Sequence, residues 1–166
     1  MALEKKFRNV AAEHKTIKEA PARFIFFCYG RNRDIYFSSS ENTRVVSRVS
    51  RDQVSSMILT KSVQENLTPV LMGHSYGGWL AMVSAVKLAN QGQRLHTLIT
   101  IDPLSPNECN AASLGCSHAP RDIPGALLAK VSKNTGVWHN FYQRKSFFLK
   151  SSAIRTASFN TRLRVG

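Results

Sequence analysis

Residues 69–90 read PVLMGHSYGGWLAMVSAVKLAN and residues 95–103 read LHTLITIDP. Pro69 to Met72 is a short continuous apolar run, the pattern of a strand buried on both faces. From Tyr76 the period changes: Trp79, Leu80, Val83 and Val86 recur at helical spacing as far as Asn90, and Gly92 follows as a stop. Leu95 to Ile101 is a second buried-strand run, and it ends at Asp102. A strand, a helix-length crossover and a second strand predict parallel pairing with a right-handed connection.

Outward from this unit the same alternation continues. Arg23 to Tyr29 (RFIFFCY) is another buried-strand pattern, ended by Gly30, and a polar loop is expected through Ser40. Residues 42–50 read as a strand, and Asp52 to Glu65 as a helix through Val54, Met57, Ile58 and Val63. Beyond Asp102, Pro103 to Pro124 is rich in Pro, Ser and Asn and reads as loop. A short helix at 125–132 and a strand over Gly136–Tyr142 follow. At the start of the chain, Leu3, Phe7, Val10, Ala11 and Ile17 suggest an amphipathic helix ended by Pro21. The expectation is one α/β domain over residues 1–166: a three-layer α/β/α sandwich with a mainly parallel sheet. Its core spans 23–142 and a basic segment spans 143–166.

Composition narrows the function classes. With 43% hydrophobic and 20% charged residues in 166, wholesale disorder and collagen are excluded. The longest apolar runs fall well short of the roughly 18 residues of a membrane span. The net charge is +13, and residues 123–166 hold eight Lys and Arg with no Asp or Glu. That excess alone is no case for nucleic acid as first choice, since no recognition module is legible. The polar first twenty residues lack the apolar core of a secretory signal, so the cytoplasm is the expected compartment. Three cysteines make a disulfide framework unexpected. Cys109, Cys116 and His118 lack the tight C-x2-C spacing of structural zinc sites, so neither metal nor cofactor is expected.

The chemistry concentrates at Gly73-His74-Ser75-Tyr76-Gly77, followed by Gly78. A bare G-x-S-x-G is common by chance; between a buried strand and a helix it reads as a nucleophile elbow. A serine there occupies a strained turn that lifts its hydroxyl above the sheet, and side chains at 73 and 77 are expected to collide with neighbouring backbone. The helix N-terminus offers N–H groups and a positive dipole end to a developing oxyanion, with the Tyr76 amide as one donor. Asp102 follows Ser75 by 27 residues, enough for one helix and a returning strand. Both residues therefore belong at carboxyl ends of neighbouring parallel strands, where open α/β sheets build their sites. An acid there can orient a histidine and stabilise its imidazolium form.

PVLMGHSYGGWLA followed by TLITIDPLS resembles the α/β-hydrolase superfamily, over roughly residues 23–142. The likeness is closest to branches whose acid follows the strand after the elbow, as in thioesterases of the acyl-carrier type and pancreatic-type lipases. The resemblance implies a second oxyanion donor at the end of RFIFFCYG, at Gly30 and Arg31, where Tyr29-Gly30-Arg31 replaces the family's usual His-Gly or Gly-Gly pair. It also implies a histidine base on a loop after the acid. That leaves His118 on the loop leaving the Asp102 strand, His139 inside a strand, or a histidine beyond residue 166.

Two functions follow as expectations. One is a serine hydrolase acting on an acyl ester or thioester, small-molecule or lipid, with Ser75 as nucleophile, Asp102 as acid and His118 as the base within the chain. The loop at 103–124 would shape its acyl pocket, and surplus positive charge would favour an anionic substrate. The other is a catalytically degenerate module that binds an anionic partner or membrane surface through residues 143–166.

Overall fold

The computed structural model describes residues 25–29, 35–39, 42–106, 121–144 and 151–163, with only the backbone described up to residue 49. The expected helix over Leu3–Ile17 lies outside them. The chain forms two compact units, residues 1–50 and 51–166.

In the first unit, strands β1 (Ile25–Tyr29), β2 (Ile35–Ser39) and β3 (Asn42–Val49) form an antiparallel meander. Phe27 pairs with Phe37 and Tyr29 with Ile35, and the β2–β3 register shifts between Phe37 and Ser39. Two expectations change here. Within the RFIFFCY run Ile25–Tyr29 is a strand, but it pairs antiparallel with β2 and is not hydrogen-bonded into the sheet that carries the elbow. Its partner is a segment read as loop. The serines at 38–40 mask Ile35-Tyr36-Phe37, three residues that suit a pleated surface. A continuous apolar run is also compatible with either pairing sense.

The second unit has α/β character. Its elements run α1 (Arg51–Gln64), β4 (Val70–His74), α2 (Tyr76–Asn90), β5 (Leu95–Ile101), α3 (Gly125–Asn134), β6 (Thr135–Tyr142) and β7 (Phe159–Arg162). The four strands lie in chain order, β4-β5-β6-β7, and every neighbouring pair is parallel. The register aligns the carboxyl ends: His74 pairs with Ile101, Ile101 with Phe141, and Tyr142 with Arg162.

Helix α2 packs on β4 and β5, α3 on α2 and β6, and α1 on α2. Strand alternation follows this layer. Leu71, Leu98, Thr100, Trp138 and Asn140 are buried, while Thr97, Ile99, Ile101, Val137, His139 and Phe141 are half-buried and Val70 and Met72 exposed. The described helices thus make one layer on the sheet. On α2 the deep stripe is Trp79, Met82, Ala85 and Ala89, with Val83 and Val86 half-buried beside it. That stripe follows helical spacing but is rotated from the Leu80–Val83 side.

Strand β7 was not expected from the sequence. A polar network anchored on buried Asn140 fixes it. The Asn140 amide donates to Asn160 Oδ1 at 2.9 Å and to the Ser152 carbonyl at 3.1 Å, and Asn160 exchanges hydrogen bonds with the backbone of Ile154. Among the described residues no helix is long and apolar enough to cross a membrane.

Candidate active site

The parallel register builds the site. One residue beyond the last paired positions of β4 and β5 stand Ser75 and Asp102, on neighbouring strands about 4.8 Å apart. Both have left-handed backbones, with φ of 54° at Ser75 and 48° at Asp102. Ser75 is the N-cap of α2 at φ 54°, ψ −122°, yet its hydroxyl does not cap the helix. A non-glycine residue in that region is strained and persists only where its surroundings hold it.

Those surroundings are backbone hydrogen bonds. The Ser75 N–H donates to the Ile101 carbonyl at 2.8 Å, and the Ser75 carbonyl accepts from Gly78 (3.0 Å), Trp79 (3.2 Å) and Leu104 (3.1 Å). The Asp102 N–H donates to the Phe141 carbonyl at 2.7 Å. Each strained residue is therefore fixed by the strand next to it. The Ser75 side chain, half-buried, forms no hydrogen bond among the described residues.

The elbow glycines divide differently from expectation. A Cβ at Gly73 would lie 2.0 Å from the Gly77 carbonyl oxygen and 2.3 Å from its carbon, so the bend requires glycine there. A Cβ at Gly77 would meet nothing within 4 Å, which corrects the expected collision at 77. The second tight position is Gly78, whose Cβ would stand 3.0 Å from the Pro103 side chain. The helix start presses its backbone, through the Gly77 carbonyl and the Gly78 Cα, against β4 and the loop after β5. His74 is exposed at the end of β4.

Asp102 is 5% exposed. Its Oδ2 accepts a hydrogen bond from Nε2 of Gln143, the first residue beyond β6, while Oδ1 is buried with no partner among the described residues. An unsatisfied buried carboxylate oxygen costs about 1–3 kcal/mol or more and leaves an acceptor open to a donor. The loop leaving Asp102 is anchored at both ends. Asp122 accepts from the Ser105 hydroxyl at 2.8 Å and from the Trp79 indole at 2.9 Å, bringing the two stems together on the elbow helix. Trp79 packs tilted against Tyr76 with ring centroids 5.3 Å apart, and the Arg51 guanidinium lies 5.4 Å above it.

The structure thus brings Ser75, Tyr76, Gly73, Gly77, Gly78 and Asp102 together. It keeps His139 apart: this residue pairs with Ile99, three positions and about 10 Å below Asp102 along the strand, and stacks on Phe159 at 5.1 Å. Gly30, Arg31 and His118 lie outside the described residues, as do Cys109 and Cys116. Among the described residues no cluster of His, Cys, Asp or Glu could hold a metal. Gln143 and the Ser105–Asp122–Trp79 clamp were missed from sequence. Gln143 was placed at the start of the basic segment, although one step past a strand end is where parallel sheets put site residues.

Compared with known proteins, the chain matches no family model, no curated protein and no solved structure.

Proposed function

We propose that the chain is a serine hydrolase acting on an acyl ester or thioester, small-molecule or lipid, on an α/β-hydrolase arrangement of the sheet. One observation carries the reading: the orphaned Oδ1 of buried Asp102, beside a serine held in a strained strand-to-helix turn. Two strained polar residues stand side by side at the carboxyl edge of a parallel sheet. They match the needs of a nucleophile and of the acid that orients its base.

In this reading Ser75 Oγ attacks the acyl carbonyl as the base takes its proton, and the alcohol or thiol leaves with that proton. Water then resolves the acyl-enzyme. Oδ1 of Asp102 accepts the ring N–H of the base and stabilises its imidazolium form. The amide of Tyr76 at the start of α2 stands for one oxyanion donor, with Gly30 and Arg31 the candidates for a second; each such donor is worth about 10²–10³ in rate. His118 is the base we propose within this chain. It precedes Asp122 by four residues, so no more than about 14 Å of chain separates it from the clamped stem beside the site.

The test uses a fluorophosphonate probe. The wild type is expected to form an adduct that Ser75→Ala abolishes, together with about 10⁴-fold or more of any ester turnover. The same variant of His118 assigns the base. No Ser75-dependent adduct from pH 6 to 9 sinks the hydrolase reading.

A second reading has its own observation. Arg144, Arg155 and Arg162 are exposed, and so are Phe159 and Leu163 on or just after the edge strand. That mixture suits an anionic surface. Changing the three arginines to Gln, which leaves the Asn140–Asn160 network in place, should abolish salt-sensitive binding to anionic vesicles. Unchanged binding counts against it.

A further inference from the structure

The acid of this site has an oxygen to spare because its other oxygen is already held. We infer that Gln143 is a positioning residue for Asp102: its amide fixes the carboxylate so that only Oδ1 faces the base. The inference rests on the hydrolase reading and assigns a residue to that same site.

The backbone of Gln143 is clamped on both sides. Its N–H donates to Ser151 Oγ at 3.1 Å, and its carbonyl accepts from the Ser151 N–H at 3.1 Å. Ser151 is 1% exposed, so the clamp belongs to the interior and holds the Gln143 Cα at the edge of β6. From there the side chain reaches across one strand spacing and donates through Nε2 to Asp102 Oδ2. The Asp102 backbone is tied to the same strand through the Phe141 carbonyl. A carboxylate with its main chain and one oxygen both fixed has little freedom to turn, and its second oxygen points in one direction.

The donor type matters as well. A lysine or arginine at 143 would neutralise Asp102 and weaken its attraction for an imidazolium. A carboxamide donates a hydrogen bond while leaving the charge in place. Among the described residues, the flanking elements supply no competing cation. Arg144 lies 5.9 Å over the Tyr142 ring, Arg162 sits at the end of β7, and neither forms an ion pair with Asp102 among the described residues. On the other side Asp122 is occupied by Ser105 and Trp79, and His74 is exposed at the end of β4.

The test compares full-length wild type, Gln143→Leu and Gln143→Glu on p-nitrophenyl acetate across pH. Gln143→Leu removes the donor and should lower kcat about 10- to 100-fold with KM within about twofold, at every pH, as a small misplacement of a catalytic group does. Gln143→Glu keeps the shape and makes the donor titratable. Protonated, it donates to Asp102 as glutamine does; ionised, it repels it. Its rate relative to wild type should therefore approach unity at the acid end and fall as pH rises and the shared proton is lost. A merely structural role would give a constant ratio. Both variants within twofold of wild type throughout, or a pH-independent ratio for Gln143→Glu, would overturn the inference. A Ser75-dependent adduct with turnover insensitive to position 143 ends this inference alone. Absence of that adduct in the wild type ends the hydrolase reading and this inference with it.

Discussion

Gly73→Ala and Gly77→Ala alter two glycines of one five-residue motif, and the geometry gives them opposite signs. The added methyl at 73 would lie 2.0 Å from the Gly77 oxygen, 2.3 Å from its carbon and 2.7 Å from the Gly78 nitrogen. All three are backbone atoms, so no rotamer change relieves the clash. Relief requires the end of β4 and the start of α2 to separate by about 1 Å or more. That movement strains the 2.8 Å hydrogen bond from Ser75 to Ile101. Overpacking a core commonly costs about 1–3 kcal/mol; with backbone on both sides of the contact, about 3 kcal/mol or more is expected. At 77 the methyl meets nothing within 4 Å, and Gly77 is not among the residues with positive φ. Alanine there should gain about 0.5–1 kcal/mol from helix propensity. Urea denaturation of the two variants at pH 7 measures both, and probe labelling of Ser75 reports on the elbow itself. Labelling should be lost in Gly73→Ala and its rate kept within a few-fold in Gly77→Ala. Equal destabilisation by the two changes, or a Gly73→Ala protein as stable as wild type, refutes the tight-elbow argument.

Two further outcomes follow from contacts away from the serine. Thr100 is fully buried and its hydroxyl accepts from the Trp138 indole at 3.1 Å and donates to Asn140 Oδ1 at 2.9 Å. Thr100→Val keeps the shape and orphans both partners, so a loss of about 2–4 kcal/mol is expected in urea unfolding; a loss below about 1 kcal/mol would contradict the network. Asp52 accepts a hydrogen bond from Lys87 on α2, and that bond together with the Lys87 charge holds its carboxyl below the usual carboxylate range. A depressed folded pKa gives stability that is present above the unfolded value of about 3.9 and is lost as pH falls through the folded one. Wild type should therefore melt slightly above Asp52→Asn at pH 7, and the gap should close near pH 2. The Asp52 side chain is 84% exposed, so 1 M NaCl should close the gap too.

The parts of the fold that were legible carry their instructions locally. Apolar runs at 69–72 and 95–101, with helical spacing between them, place the elbow and the acid without any tertiary information; β5 spans Leu95–Ile101, as the run alone indicates. Strand β7 was not legible because Phe159–Arg162 is four residues long and exposed throughout. It is held by Asn140 and Ser158, which bond at sequence distances of about twenty residues. Strand β2 hid behind its serines. Within the site, Ser75 and Asp102 were readable because strand ends locate them. Gln143 was not, because an amide has a role only once register sets it beside a carboxylate.

Register also explains how this edge tolerates strain at two adjacent residues. A left-handed non-glycine backbone costs of order 1–3 kcal/mol, and here Ser75 and Asp102 carry that cost side by side. Each is held by a hydrogen bond to the next strand in order: Ser75 to Ile101 on β5, and Asp102 to Phe141 on β6. The chain of support runs one way, from the elbow through the acid strand to β6. There Gln143 returns a side chain to Asp102 and Ser151 locks Gln143 in turn. Ser151 and Asn160 therefore do more than close the sheet. In the hydrolase reading proposed above, bracing β6 would keep the Asp102 carboxylate aimed before a substrate arrives, and a group so held needs no reorganisation as charge develops. Loosening the Ser151 clamp should accordingly weaken the acid's alignment, although Ser151 touches neither Ser75 nor Asp102 by hydrogen bond.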